Sequence, residues 1–205
     1  MPLDLASLIV PDRCALVLQE VQRGVVGEPS VLPDLAAECE RIGLVAQCDA
    51  LARAARSAGV PVVHCTAATR ADGLGANRNA RLFAGVAKAP LALTPGSDAV
   101  QPAIDVDDAD LVLTRHQGLG PMAGTELDAV LRNEGITTIV GVGVSLNIGM
   151  LDLAFDAVNA GFRFVVPTDA VAGLPPDYAE AVLRSTLSLV ATLTTTPEVV
   201  AAWSG

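Results

Sequence analysis

Five short runs of this chain are apolar at nearly every position and rich in β-branched residues: CALVLQ at 14–19, VPVVHC at 60–65, DLVLT at 110–114, TTIVGVG at 137–143 and FRFVVP at 162–167. A strand with one wet face alternates between apolar and polar residues. One that does not alternate is covered on both faces, as in a parallel sheet between helical layers. Between these runs lie segments with Leu, Val and Ala at helical spacing, at 33–59, 124–135, 147–161 and 176–193. Three of them close on Gly59, Gly135 or Gly161, a common helix stop. This alternation predicts right-handed βαβ crossovers and an α/β fold. We expect a single doubly wound, mainly parallel six-stranded sheet, Rossmann-like, with helices on both faces and residues 1–205 in one domain.

The remaining segments say less. Residues 66–109 hold a polar, Gly-containing loop, a short helical candidate near Asn79 to Val86 and Pro/Gly turns. Loops after strand C-termini build the site in such sheets, so this one is either a lid or specificity loop or an inert surface excursion. The C-terminal TTTPEVVAAWSG, which carries the only Trp, is either the last strand and helix or part of a contact between copies.

Hydrophobic residues make up 51% of the chain and aromatic residues 3%, so the core must be aliphatic. The net charge of -10, with no run of Lys or Arg, excludes nucleic acid as an expected partner. The opening MPLDLASLIV has no basic n-region, and no stretch stays apolar for the ~20 residues a bilayer requires. A cytoplasmic protein without a membrane partner is expected. Cys14, Cys39, Cys48 and Cys65 lack CxxC spacing, and His64 and His116 are far apart. No metal site or cofactor is suggested, and the cysteines read as core thiols.

Three strand ends bring polar groups to one edge of the predicted sheet: Glu20 after ALVLQ, Arg115 and His116 after LVLT, and the turn from Ser145 to Gly149 after TIVGVGV. With their surroundings, ALVLQEVQ (15–22), LVLTRHQGLGPMAGTELDAVLRNEGITTIVGVGVS (111–145) and VSLNIGMLDLAFDAVNAGFRFVVPTDAVAG (144–173) resemble, in order, three segments of the isochorismatase-like, or cysteine hydrolase, superfamily. The resemblance covers nearly the whole chain. It implies that fold, hydrolysis of a small molecule and self-association, since members commonly form dimers or larger homo-oligomers.

The catalytic set implied by the resemblance is Asp, Lys and Cys, and this chain departs at each position, with Glu20, Arg115 and Gly149. A glycine cannot attack an amide, which excludes the family's usual covalent route. Isochorismatases proper resemble this chain in reading IG at the turn. There a carboxylic acid protonates an enol ether, so no nucleophile is missing. By the same resemblance His116, Met122, Ser145, Asn147 and Ile148 become candidate substrate contacts.

Two outcomes remain open. If Arg115 grips Glu20 directly, the carboxyl stays ionised and is a poor acid; if Arg115 holds a substrate carboxylate, Glu20 can serve as the acid. Hydrolysis by Glu20 with Arg115 as anchor, on an acidic or enol-ether substrate, competes with an inactive member that binds a small acidic metabolite or serves in an assembly. Cys65 beside His64, and Ser145, are candidate substitute nucleophiles, although neighbours on a strand point to opposite faces and Ser145 has no evident base. The amides of Asn147, Ile148, Gly149 and Met150, at a predicted helix start, suit an anion or oxyanion.

Overall fold

A computed structural model describes residues 4–89 and 91–205. Its strands are β1 (Cys14–Gln19), β2 (Val62–Ala67), β3 (Leu111–Arg115), β4 (Thr138–Val144), β5 (Arg163–Pro167), β6 (Val171–Ala172) and β7 (Thr192–Thr194). The helices are α1 (Leu5–Leu8), α2 (Arg23–Val26), α3 (Pro33–Ile42), α4 (Leu44–Ser57), α5 (Arg81–Val86), α6 (Leu127–Asn133), α7 (Gly149–Asn159), α8 (Pro176–Ser185) and α9 (Thr196–Trp203).

The strands form one sheet in the order β3-β2-β1-β4-β5-β7, with β6 paired to the end of β4. Every strand pair is parallel. The sheet has seven strands where six were expected, because the two-residue β6 aligns Val171 with Gly143. From β1 the chain winds outward through β2 to β3, then returns to the other side of β1 with β4. The C-terminal ends of β1 and β4 therefore flank the point where winding reverses, the usual crevice of such sheets.

β1 and β4 are buried at every residue, as their unbroken apolar runs require. Leu16 and Leu18 of β1 enter the core with Leu44, Leu51 and Trp203; Ala15 and Val17 enter the core with Leu131, Met150 and Leu153. The period of two along the strand thus feeds two aliphatic cores, one on each face.

Two helical readings needed correction. Residues 33–59 form α3 and α4, divided by Gly43 at φ 67°, a left-handed conformation that glycine adopts without steric cost. The segment 176–193 leaves the α-helix after Ser185 and passes through a short 3-10 turn into β7. The C-terminal segment is the last strand and helix: Trp203 is buried, and its indole N–H donates to the Ile9 carbonyl at 3.0 Å. All four cysteines are buried and free. Among the described residues no helix is long and apolar enough to cross a membrane.

Candidate functional site

The backbone brings Glu20 and Gly149 together. β1 and β4 approach so closely that a Cβ on Gly143 would lie 2.1 Å from the Gln19 carbonyl oxygen, and Gly143 has φ 111°. Only glycine fits that position on both counts. One residue beyond β1, Glu20 turns with φ 52°, alone among the described non-glycine residues in having a positive φ. Such a conformation costs on the order of 1–3 kcal/mol, and its position at a strand end points to function.

Arg115, at the end of β3, reaches across to Glu20. Its Nη2 donates to Glu20 Oε1, and its Nη1 donates to the Gly118 carbonyl at 2.7 Å. Gln19 Nε2 also donates to Oε1, at 3.1 Å. Glu20 Oε2 accepts no hydrogen bond from a described residue. The two side chains of the ion pair are only 13% and 15% exposed. Both line a cavity of about 650 Å³, together with His116, Ser145, Ile148 and Gly149.

Gly149 opens α7 directly after the Ser145 turn, which follows a cis peptide bond between Val144 and Ser145. A Cβ there would sit 3.0 Å from Gln19 Nε2, 3.3 Å from the Val144 carbonyl and 3.4 Å from the Leu119 carbonyl. The place of a side chain is thus partly taken by Gln19. The helix start offers fewer amides than expected, because Ile148 and Met150 both donate to the Ser145 carbonyl. The amides of Asn147 and Gly149 have no acceptor among the described residues.

Two other expected contacts lie away from the cavity. Asn147 spends its side chain on Ser145 Oγ at 3.2 Å and on the Leu174 carbonyl at 3.1 Å, which holds it against the segment after β6. Met122 packs against the core that contains Met150 and Leu153, where its apolar chain is better buried. Cys65 is close enough to feel both Arg115 and Glu20, yet burial pushes its thiol up to about 12, Arg115 lowering and Glu20 raising it further. A thiol so buried is a poor nucleophile. His64 lies on the opposite face, where its Nε2 meets Asp110 at 3.0 Å.

Two residues at the site escaped the sequence reading. Gln19, fully buried, was legible as the one polar side chain closing an otherwise apolar strand. Asn77 was not. Its Oδ1 accepts from the Gly118 amide at 2.8 Å, so Gly118 ties the segment before α5 to Arg115. Many residues of 67–89 and 91–94 accordingly form a wall of the cavity.

Comparison with known proteins agrees with this architecture. The isochorismatase domain model matches residues 14–198. The chain belongs to the isochorismatase family. Its sequence is 37% identical over 97 residues to the uncharacterized isochorismatase family protein YwoC of Bacillus subtilis (strain 168), covering 47% of this chain and 51% of that protein. The isochorismatase family protein YecD of Escherichia coli O157:H7, also uncharacterized, is 40% identical over 68 residues, 33% of this chain and 36% of that protein. The matched parts thus span about half and about a third of these relatives.

An isochorismatase family protein from Burkholderia thailandensis superposes with TM-score 0.76 at 30% identity, covering 95% of this chain and 97% of its own. A cysteine hydrolase from Pseudomonas syringae pv. phaseolicola 1448A gives TM-score 0.79 at 23% identity, with 96% and 95% covered, a likeness of fold.

Proposed function

We propose that this isochorismatase-family chain is a small-molecule hydrolase that works without a nucleophilic cysteine, with Glu20 as general base and then acid and Arg115 as its electrostatic anchor. The observation that carries the reading is the divided carboxylate. Oε1 is held by Arg115 and Gln19, while Oε2 accepts no hydrogen bond from a described residue, on a side chain that lines the cavity beside Gly149. A carboxylate fixed at one oxygen can accept a proton at the other.

In this mechanism a water in the cavity attacks the substrate carbonyl carbon as its proton passes to Oε2. The Gly149 amide donates to the oxygen that gains negative charge. Collapse of the tetrahedral adduct breaks the bond to the leaving nitrogen or oxygen, which takes the proton back from Glu20. Each step uses only water and groups of this chain. An enol ether is accommodated where a substrate carboxylate draws Arg115 away from Glu20, leaving the acid form to protonate the enol carbon.

The test is an assay of purified protein against enol ethers, imides and small amides, with Cys65→Ala and Ser145→Ala in parallel. Turnover that both variants retain supports the reading. Turnover abolished by Cys65→Ala overturns it in favour of a thiol route.

A second reading, a binding protein without turnover, is favoured by the ion pair between Glu20 and Arg115. Saturable binding with no product from any substrate class would support that reading.

A further inference from the structure

The cavity that holds the reactive corner is also lined by Val31, by Leu35 of α3, by Leu82, Phe83 and Val86 of α5 and by Leu91. The charged groups of this lining beyond the corner are paired or in solvent. Arg70 is paired with Asp72 at 3.0 and 2.7 Å, and Arg78, the other cation, is solvent-exposed, where screening weakens its pull. At the corner itself, Arg115 already answers Glu20.

We propose that the ligand of this site is an elongated amphiphile: a neutral hydrolysable head, such as a primary amide, seated at Glu20 and Gly149, carrying an uncharged aliphatic or aryl arm that lies between α3 and α5. The inference rests on the proposed reading of the corner as the place of the reactive group. Three features support it. The paired charges make the corner nearly neutral, which disfavours a multiply charged metabolite. The cavity, at about 650 Å³, lies within the range that encloses a drug-sized ligand. Much of its lining beyond the corner is apolar, and α5 buries none of its residues in the core, so the side chains of Phe83 and Val86 remain available to a ligand.

Titration of the primary amides from acetamide through butanamide and hexanamide to octanamide tests the proposal, by calorimetry or ligand-observed NMR. The wild type, Glu20→Gln and Phe83→Asp are compared, with molecular mass followed by light scattering. Affinity should rise by roughly threefold to fourfold per methylene until the arm fills the space. Glu20→Gln should keep the increments, since they arise remote from the head. Phe83→Asp, on a helix that buries none of its residues in the core, should flatten the series.

A series with no chain-length dependence would overturn the proposal. So would a dimer that Phe83→Asp converts to monomer, which would assign the apolar wall to a second copy. Persistent increments in a protein without turnover would sink the hydrolase reading alone. Turnover of acetamide with flat increments would sink the amphiphile alone.

Discussion

At the scale of residues, Gly149 and Gln19 behave as one unit. Gln19 donates to Glu20 Oε1 at 3.1 Å, and its amide nitrogen stands 3.0 Å from the Cβ that any other residue would place at 149. A side chain at 149 must therefore push Gln19, and through it the carboxylate. We predict that Gly149→Ala destabilises the wild-type chain by roughly 1–2 kcal/mol through overpacking. In a Gln19→Ala background that cost should shrink, giving a coupling of at least about 0.5 kcal/mol in a double-mutant cycle of denaturant melts. Additive effects would show that the two positions do not meet. The glycine is thus part of how Glu20 is held, as well as the reason no nucleophile is present.

At the scale of elements, Arg115 is placed by more than β3. Its guanidinium donates to the Gly118 carbonyl while Asn77 accepts from the Gly118 amide, so one residue, through its two flanking peptide groups, joins the segment before α5 to the ion pair. Asn77→Ala should leave that amide unsatisfied, at a cost on the order of 1–3 kcal/mol. The expected signature is faster hydrogen exchange across residues 69–94 together with weaker ligand binding. Unchanged exchange would mean that Asn77 does not latch the segment.

β1 and β4 were readable because burial on both faces leaves an unbroken apolar run. β3 shows the same kind of run although it is an edge strand with Leu111 and Val112 exposed, and the ends of β1, β3 and β4 delivered Glu20, Arg115 and Gly149 to one place. The Asn77 latch was not readable. It joins residues 41 positions apart through a backbone amide that carries no side-chain signature. The break at Gly43 was hidden for a different reason, since apolar spacing continues straight through it and only the positive φ ends the helix. A last strand was offered from Thr194 onward, but β7 begins at Thr192, because Thr192 and Leu193 continue the helix-like pattern that precedes them.

At the scale of the whole molecule, a second polar cluster ties α4 to the edge of the sheet far from any proposed chemistry. Arg56 donates to both carboxylate oxygens of Asp110, at 3.1 and 2.6 Å, and His64 Nε2 meets the same group at 3.0 Å. With Nε2–H facing the carboxylate, Nδ1 is a bare acceptor, and it is buried without a described partner. Burial lowers the His64 pKa below its ordinary 6.5, although hydrogen bonding and charge from Asp110 oppose this.

The folded state therefore resists a proton that the unfolded chain accepts. The neutral His64 contribution is complete above about pH 6.5 and declines as pH falls below it, with a slope of at most about 1.4 kcal/mol per pH unit. For Asp110 burial pushes upward, but Arg56 and His64 outweigh it and hold the carboxyl below its ordinary 3.8. Its contribution is lost in turn at still lower pH. Denaturant melts between pH 7.5 and 5 should show this decline, and His64→Gln should flatten it. An equal slope in that variant would place the titrating group elsewhere.

Self-association is a further expectation at this scale, with the apolar Leu111 and Val112 exposed on the edge strand β3. Light scattering of a monomer at micromolar concentration would refute it.

In the proposed mechanism a carboxyl group, with no attacking side chain, performs the chemistry. The ratio of kcat/KM between wild type and Glu20→Gln, on the best substrate of the amide, imide and enol-ether panel, tests this most directly. A fall of about 10²- to 10⁴-fold is expected in Glu20→Gln, with folding retained. Equal values in the two proteins would remove Glu20 from the chemistry.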